Sequence, residues 1–536
     1  MKITFLGAAH QVTGSRTLVE WLPGRFFLVD YGMEQGVNDF EQAELPVPAS
    51  RVEYVFLTHA HIDHSGLLPL LRKQGFEGII YSTAETMNLC SIMLADSAQI
   101  QEADASSETK KNLRKGGEEV TPLYTTEDAA ETMKLFRPCG YGKVYMVDEG
   151  LSIRFTDAGH LLGSAFLEFF LEEGGKQVKL VCSGDIGNTG QPIIRDPSRV
   201  AEADYLLIES TYGTRLHDRT VEPIPVLTEI LRRTFRRGGS VIIPSFAVGR
   251  TQELLYFFRE IKQRRLLPEF DGFPVYVDSP LANEATAVFL QCETACLDDE
   301  ATAIMAEGQN PIWFDGLFTT VSADESKALN ENPEPKVVIA SGGMCDGGRI
   351  RHHLKHHLWN ERDTVLFAGY QAVGTLGRLI YDGADEVKIF GEEIEVKAEV
   401  EMLNGISGHA DRNGLLRWLE GFEKKPAQVF VNHGDDESCT AFAREVTEKF
   451  SVPADAPYAG TEYDLLNGCW IRLTEPVPKK NAGKQESLPS GRRQKEATYG
   501  DLKLAVAKLA DYVETLKGHS NDEIRKLTEK ILSLTE

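Results

Sequence analysis

Three histidines and one aspartate lie within six residues early in the chain. They are His59, His61, Asp63 and His64, in the run Thr58–Gly66 that directly follows an apolar segment. A strand ending in such a turn can aim His59 and His61 at one metal ion, and Asp63 and His64 at a second. Imidazole nitrogen and carboxylate oxygen are the ligands that zinc takes in catalytic sites. Packing alone rarely places four ligand-type residues at a strand end, so this run indicates metal binding.

Four further residues with ligand chemistry follow apolar, strand-like runs and lie next to glycine-containing loops. They are Asp30, His160, Asp185 and His433. Loops at strand ends are the usual location of catalytic groups carried by a rigid scaffold. Each of these residues by itself is more simply an ordinary turn or strand-end residue. Their combination and order along the chain make the stronger signal.

In chain order these residues resemble the metal-binding motifs of the metallo-β-lactamase superfamily. The resemblance implies a site for two metal ions with the following ligands: His59, His61 and His160 on one ion; Asp63, His64 and His433 on the other; Asp185 bridging both. Asp30 would accept a ring N–H from a ligand histidine and fix its tautomer. Two neighbouring cations acidify a shared water to hydroxide and neutralise charge on the attacked group. Asp63 is expected to be a catalytic residue as well as a ligand. Two Zn²⁺ ions are expected, with manganese or iron as alternatives at the oxygen-richer position.

Three later motifs narrow the resemblance. Glu209–Gly213 reads Glu-Ser-Thr-Tyr-Gly, Ser407–Asp411 reads Ser-Gly-His-Ala-Asp, and His433 is the last. This set resembles the β-CASP nucleases. With Pro244–Arg250 and Ser341–Met344, it looks closest to the branch containing the endonuclease subunit of the cleavage and polyadenylation specificity factor and its prokaryotic relatives. The resemblance covers about residues 1 to 473.

The resemblance assigns roles to residues that would be unremarkable alone. His409 is of the right type to act as general acid toward the leaving oxygen or to hold a phosphate oxygen. Glu209 would orient it and keep it protonated, since an adjacent carboxylate raises a histidine pKa. Loops at helix starts and glycine-rich turns can bind phosphate, and their candidate contacts are Ser245, Arg250, Arg349 and Ser407.

The pattern along the chain predicts an α/β protein: a metallo-β-lactamase αββα sandwich, an inserted parallel α/β domain and a C-terminal helical hairpin. Buried-type strands at 240–244, 275–278, 336–340 and 364–368 carry the inserted sheet. The polar stretch 100–148 is predicted helix-like, with a helix start at Thr125. The chain is expected to return to the first domain at 393–398. The predicted segments are 1–209 (metallo-β-lactamase, first part), 210–395 (β-CASP), 396–474 (returning part with the RNA-metabolising motif), 475–498 (linker) and 499–536 (helical hairpin).

Charge and composition limit the classes of function that this protein can have. A net charge of −24 argues against nucleic-acid binding that relies on bulk positive potential, though not against a local basic cleft. No apolar run approaches a membrane span and the N-terminus reads as a first strand, so no membrane partner is expected. Eight cysteines without a framework spacing predict a reduced, cytoplasmic protein.

The resulting hypothesis is a cytoplasmic two-zinc endoribonuclease that cleaves single-stranded RNA through a metal-bridging hydroxide. RNA is favoured over DNA because members of the family that act on DNA typically have valine where this chain has His433. Two alternatives are a small-molecule metallohydrolase of the lactonase or thioesterase type and a noncatalytic RNA-binding subunit. The first has no need of the inserted domain, and members of the second kind have typically lost metal ligands. Self-association, through the main body or the hairpin, is left open.

Overall fold

The architecture comes from a computed structural model that describes residues 1–36, 38–218 and 222–479. The predicted hairpin at 499–536, and the predicted linker from residue 480 onward, lie outside the described residues. Strands and helices are numbered below in chain order. The helices are α1 (Ile62–Ser65), α2 (Leu68–Lys73), α3 (Ala84–Leu113), α4 (Thr126–Met133), α5 (Pro223–Arg236), α6 (Arg250–Gln263), α7 (Pro280–Gln291), α8 (Asp299–Ala306), α9 (Ala323–Glu331), α10 (Ile350–His357), α11 (Leu376–Tyr381), α12 (Arg412–Leu419) and α13 (Asp436–Phe450).

Two sheets pack face to face in the first part of the molecule. The eight-stranded sheet has the spatial order β23-β22-β1-β2-β3-β4-β5-β6. Its strands are β1 (Lys2–Phe5), β2 (Arg16–Leu22), β3 (Arg25–Tyr31), β4 (Val52–Phe56), β5 (Ile79–Ser82), β6 (Phe136–Pro138), β22 (Glu462–Asp464) and β23 (Cys469–Arg472). The seven-stranded sheet has the order β21-β20-β11-β10-β9-β8-β7. Its strands are β7 (Val144–Asp148), β8 (Leu151–Asp157), β9 (Ala165–Glu173), β10 (Lys176–Cys182), β11 (Tyr205–Glu209), β20 (Gln428–Asn432) and β21 (Ala454–Asp455).

Aromatic side chains fill the space between these sheets. The ring of Phe169 lies 4.7 Å from that of Phe27 and 5.0 Å from that of Phe56, measured between centroids. On the outer face of the first sheet Leu28 and Val55 pack with Leu89 of α3, and on the outer face of the second Val429 packs with α12 and α13. The predicted αββα sandwich is therefore confirmed.

Strand direction brings catalytic-type residues to one edge. β10, β11 and β20 are parallel neighbours, with Glu209 directly opposite Asn432. Because the carboxyl ends of parallel strands meet at the same edge of a sheet, the residues that follow them lie together. Asp185, Glu209 and His433 therefore share one edge, facing the loop that follows β4.

The inserted region carries a third sheet, in which all pairings are parallel. Its order is β14-β13-β15-β12-β16-β19. The strands are β12 (Val241–Ser245), β13 (Val275–Asp278), β14 (Leu317–Thr319), β15 (Val337–Ser341), β16 (Thr364–Phe367) and β19 (Glu399–Met402). The four predicted buried strands match β12, β13, β15 and β16 to within one residue at either end, so the predicted parallel α/β insertion is confirmed.

The predicted return of the chain at 393–398 is wrong. Residues 392–395 form β18, which pairs with β17 (Glu386–Ile389) in a two-stranded hairpin. β19 then adds to β16 of the third sheet, so strand pairing continues past the predicted boundary at residue 395. β19 reads Glu-Val-Glu-Met, and its acids are paired with arginines at the end of α5. Glu399 lies 3.0 Å from Arg233 and 2.7 Å from Arg237, which directly follows the helix. A half-polar edge strand lacks the continuous apolar run that marked its neighbours. The division into domains otherwise stays a prediction.

Two further predictions are wrong in part: that the stretch 100–148 is helix-like throughout, and that a linker begins at residue 475. The helix start at Thr125 is confirmed, because its side chain accepts from the Asp128 N–H and Asp128 returns the bond in a capping box. The rest of the stretch 100–148 is not all helical, since β6 and β7 occupy its end. The first residues of the predicted linker, 475–479, are also paired: the Glu41 N–H donates to the Val477 carbonyl at 2.7 Å.

Candidate metal centre

The metal-ligand candidates lie where strands of both sandwich sheets end. His59 and His61 follow β4, and α1 then presents Asp63 and His64. The remaining three follow strands of the other sheet: His160 after β8, Asp185 after β10 and His433 after β20. The Asp185 loop approaches β4 closely at Gly184, where φ is +51° and a Cβ would lie 2.6 Å from the Thr58 Cβ. Only glycine fits that position without displacing the backbone.

One group of donors contains His59, His61, His160 and Asp185. Their ligand atoms all lie within 4.8 Å of one another. The Nδ1 atom of His61 is 3.0 Å from His59 Nε2 and 3.2 Å from His160 Nε2. Asp185 Oδ2 is 3.5 Å from the Nε2 atoms of both His59 and His160. The structure therefore brings together the four residues assigned by resemblance to the first ion.

The second group contains Asp63, His64 and His433, again within 4.8 Å. Their closest approach is 3.0 Å, between the Nε2 atoms of His64 and His433. Asp63 Oδ2 lies 3.7 Å from His433 Nε2. Asp185 Oδ1 is 3.4 Å from nitrogens of His64 and His433, so this carboxylate faces both groups.

This arrangement fits metal ions better than it fits a hydrogen-bonded core. Two facing imidazole nitrogens can share at most one proton, so each close pair presents at least one lone pair to the other. Ligands of one tetrahedral zinc stand about 3.3 Å apart when each bond is about 2.0–2.1 Å, and the closest pairs here are 3.0–3.2 Å apart. Asp185 Oδ1 is buried and accepts no well-directed hydrogen bond from the described residues. The donor set is suited to a divalent cation.

Electrostatics favours the ligating forms of most of these side chains. The exception is His64: burial lowers its pKa, but Asp185 and Asp30 outweigh it and raise the pKa well above the usual range, so this ring must lose a proton when it binds a metal ion. Burial holds the pKa values of His59, His61 and His160 below their usual range, so these imidazoles stay neutral. Burial raises the pKa of Asp63, but the neighbouring His433 and His64 outweigh it and bring the pKa to about 2. A neutral imidazole and an ionised carboxylate are the forms that bind metal.

Asp30 supports the centre from behind. Its Oδ2 is 2.7 Å from His64 Nδ1 and accepts the Thr58 hydroxyl at 2.9 Å, while Oδ1 accepts the Thr58 N–H at 2.8 Å. Asp30 and His433 both have left-handed backbones, with φ of +56° and +52°. Non-glycine residues uncommonly adopt this conformation, and the surrounding structure must enforce it where they do, as at ligand-binding sites.

His409 and Glu209 form an acid–base pair beside the metal-ligand candidates. His409 Nδ1 is 3.3 Å from Glu209 Oε1 and 4.0 Å from Asp185 Oδ2. Burial lowers the pKa of His409, but Glu209 and the more distant Asp185 outweigh it and raise the pKa to about 9. The side chain of His409 is 22% exposed, whereas that of Glu209 is fully buried. A protonated imidazole therefore stands at the open side of the cluster.

The four candidate phosphate contacts differ in their surroundings. Ser407 is next to the His409 backbone, with its hydroxyl 3.4 Å from the His409 nitrogen. Arg250 begins α6 and is ion-paired with Glu253. Ser245 is buried and directs its hydroxyl to the Phe246 carbonyl at 3.1 Å.

The Arg349 side chain already binds other residues of the inserted region. It donates to buried Asp278 at 2.6 Å and to the Val321 carbonyl at 2.5 Å. These contacts use two of its five N–H donors and hold the guanidinium at Asp278.

Sequence analysis missed three groups that position the candidate ligands. The Thr58 hydroxyl lies 3.1 Å from His59 Nδ1 in addition to its contact with Asp30. The Thr211 hydroxyl lies 3.1 Å from His433 Nδ1. The Gly408 carbonyl accepts from His160 Nδ1 at 3.0 Å. The two threonines stand beside recognised motifs and could have been singled out there, whereas a backbone carbonyl leaves no signal in the sequence.

Comparison with known proteins agrees with this architecture. Residues 13–132 match the model of the metallo-β-lactamase superfamily, and residues 251–380 match that of the β-CASP domain. Residues 393–457 match a model described as the Zn-dependent metallo-hydrolase RNA specificity domain. The chain is 38% identical to ribonuclease TTHA0252 of Thermus thermophilus over 445 residues, which cover 83% of this chain and 95% of that protein.

The chain belongs to the β-CASP family of metallo-β-lactamase-fold proteins. It is also 31% identical over 469 residues to the transcription termination factor FttA of Methanosarcina mazei, and 30% identical over 476 residues to FttA of Pyrococcus abyssi. Each match covers 85% of this chain and 70% of the relative. The predicted family and the prediction of a metallo-hydrolase enzyme are confirmed. No helix in the described part of the chain has both the length and the apolar character needed to cross a membrane.

Proposed function

We propose that this β-CASP protein is a two-zinc endoribonuclease that cleaves single-stranded RNA. The observation that carries the proposal is the convergence of seven His and Asp side chains into two neighbouring donor groups, both of which Asp185 faces. The His409 ring of the His409–Glu209 pair lies 4.0 Å from Asp185. The Thermus relative is named a ribonuclease, and the family model over residues 393–457 is described by RNA specificity. Both support RNA as the substrate.

The proposed ligands are His59, His61 and His160 for one ion, and Asp63, His64 and His433 for the other. Asp185 would serve both, since its Oδ2 faces the first group and its Oδ1 lies 3.4 Å from nitrogens of His64 and His433. When bound, the ions would lower the pKa of water and neutralise charge on the scissile phosphate. Asp30 and Thr58 would hold His64 and His59 in the tautomers that leave their Nε2 atoms free. Manganese or iron stay as alternatives to zinc, since carboxylate-rich positions accept them.

His409 would act on the leaving group. A protonated imidazole at the open side of the cluster can donate to the 3′-oxygen as the phosphodiester bond breaks. Glu209 would keep the ring oriented and charged, and its own second oxygen is fixed by the Thr211 N–H at 3.2 Å. Cleavage with the 3′-oxygen as the leaving group produces a 5′-phosphate and a 3′-hydroxyl.

Access to the cluster favours a single strand. Most of the proposed ligands are less than a tenth exposed, and the loop Val248–Gly249 of the inserted region packs against Leu161 beside His160. The scissile phosphate must therefore enter a recess. Flexible, unpaired RNA can do so, whereas a duplex presents a broad and rigid surface.

The experiment is an assay with internally and 5′-labelled single-stranded RNA beside the matching DNA. It compares the parent, His409→Ala and His356→Ala, an exposed histidine of α10 that serves as the matched control. We expect internal RNA fragments with 5′-phosphates from the parent and from His356→Ala, and greatly reduced cleavage by His409→Ala with an unchanged metal content.

Three results would contradict the proposal. A parent that contains two metal ions per chain and cleaves neither RNA nor DNA would favour the small-molecule hydrolase or the noncatalytic RNA-binding subunit. Binding of RNA without cleavage would single out the latter. Undiminished cleavage by His409→Ala would remove the proposed role of that histidine.

A further inference from the structure

Exposed apolar side chains cluster at the carboxyl edge of the inserted sheet. Phe246 follows β12 and is 49% exposed, while Tyr370 and Val373 follow β16 and are 46% and 74% exposed. β12 and β16 are adjacent in the sheet, so the loops that follow them are neighbours. Large exposed apolar groups in one place indicate a binding surface rather than ordinary surface scatter.

The backbone holds Phe246 in place. Its carbonyl accepts hydroxyl hydrogen bonds from Ser245 at 3.1 Å and Thr251 at 2.7 Å. Its ring packs against Gly343, where a Cβ would lie 3.1–3.2 Å from three ring atoms. One side of the ring is therefore covered by a glycine backbone and about half of the residue is left open to a ligand.

A hydrogen bond from the neighbouring residue holds Tyr370 close to the loop that contacts Phe246. Its neighbour Gln371 is buried and donates from Nε2 to the Gly343 carbonyl at 2.9 Å, which links the loop after β16 to the loop under Phe246. The Arg215 guanidinium lies 5.6 Å from the centroid of the Tyr370 ring. An arginine beside an aromatic ring supplies both cation–π attraction and a positive charge for phosphate.

This surface is continuous with the metal centre. Tyr212 lies between them, with its ring 6.0 Å from that of His409. Arg215 extends toward Asp435, with 3.9 Å between its Nη2 and Asp435 Oδ2, two residues beyond His433. Burial raises the pKa of Tyr212, and a hydrogen bond with Ser407 and the charges of Arg215 and Arg250 partly offset that effect.

We infer that Phe246 and Tyr370 form a stacking platform for bases of the RNA strand that flank the scissile phosphate. The inference rests on the proposed function and adds to it a base-recognition surface. Stacking tolerates any base because each has a π face, and it contributes about 1–3 kcal/mol per base in single-strand-binding proteins. In a chain with a net charge of −24, such a platform supplies affinity that does not depend on overall positive potential.

The test measures KM and kcat of the full-length, metal-loaded enzyme on a short single-stranded RNA. The variants are Phe246→Ala, Tyr370→Ala, Tyr370→Phe and Phe318→Ala. Phe318 is the matched control, because it is also 49% exposed but lies on β14 at the far edge of the same sheet. We expect each of the first two variants to raise KM about tenfold, within the range that loss of one stacked base predicts. Tyr370→Phe and Phe318→Ala should match the parent.

A second series uses the same RNA with one abasic nucleotide at each position around the cleavage site. At the stacked position the abasic RNA should raise the KM of the parent to that of Tyr370→Ala or Phe246→Ala, and it should cost that variant nothing more. Gly343→Ala, which pushes on the Phe246 ring, should give an intermediate KM.

The outcomes separate the two proposals. A parent that cleaves RNA while both aromatic variants behave like Phe318→Ala overturns the stacking platform alone. Abasic losses that add fully to the losses of the variants also overturn it. A parent that neither binds nor cleaves RNA overturns the proposed ribonuclease function and the platform together.

Discussion

Two polar clusters of this chain are built from similar residue types at strand ends and differ in how their charges are satisfied. In the metal centre, histidine nitrogens face one another and Asp185 Oδ1 has no well-directed hydrogen bond among the described residues. In the inserted sheet, buried Asp278 accepts from Arg349 and from His353, each at 2.6 Å. The Ser326 hydroxyl adds a third bond to Asp278 at 2.5 Å, and Thr320 a fourth.

This difference separates a binding site from a structural cluster. Donors and acceptors around Asp278 satisfy one another, so the group stabilises the fold and needs no ligand. The acceptors of the metal centre outnumber their donors, and unsatisfied buried acceptors are costly unless a cation neutralises them. The comparison predicts that substitutions in the first cluster change metal content and activity, and that substitutions in the second change stability.

The largest effect is expected for Asp185→Ala, which removes the carboxylate that faces both donor groups. RNA cleavage should fall by at least about 10⁴-fold, because charge neutralisation and activation of water by the bound ions would both be lost. Metal content, measured by elemental analysis, should fall below two ions per chain. A variant that retains both ions and cleaves normally would contradict the assignment of Asp185; Asp324→Ala, at a highly exposed aspartate of α9, is the control.

His409→Ala should reduce kcat by about 10²–10⁴-fold, the usual contribution of a general acid. Metal content should stay that of the parent, since His409 is in neither of the two proposed ligand groups. Parallel measurement of kcat and metal content sharpens the distinction between a ligand and a proton donor. Loss of metal from this variant would show that His409 acts as a ligand instead.

Asp278→Ala should leave metal content unchanged and destabilise the fold. It strands Arg349 and His353 without their buried partner, and breaking a buried ion pair in this way costs about 3–5 kcal/mol. The melting temperature should drop clearly below those of the parent and of the Asp324→Ala control. Loss of metal with an unchanged melting temperature would contradict this prediction, because it would show that the Asp278 cluster serves metal binding and not stability.

The smallest effect is expected for Asp30→Asn. The amide keeps the size of the carboxylate but weakens its contacts with His64 Nδ1 and with Thr58. Metal affinity should fall about 10–100-fold, as is usual when the partner of a ligand histidine is altered. Competition with a chelator of known affinity measures it. An unchanged affinity would mean that Asp30 serves the fold rather than the metal.

The sequence pattern identified the buried parallel strands and nearly all the polar residues of the centre. Those strands are short apolar runs bounded by turns, which is a local signal. It failed at β19, whose alternating acids pair with arginines at the end of α5, Arg233 and Arg237, which lie more than 150 residues earlier in the chain. It failed again at residues 475–479, where backbone hydrogen bonds to residues 39–41 replace the side-chain pattern on which sequence reasoning depends.

The sequence by itself determined which side chains can bind metal, their order along the chain and the strand ends that carry them, because these depend on residue type and local periodicity. Only the tertiary structure decided which of these side chains meet. His64 and His433 are 369 residues apart in the chain and 3.0 Å apart in space, and Arg349 meets Asp278 instead of open solvent. Whether a polar residue is free to bind a ligand depends on partners distant in sequence, and only folding brings those partners together.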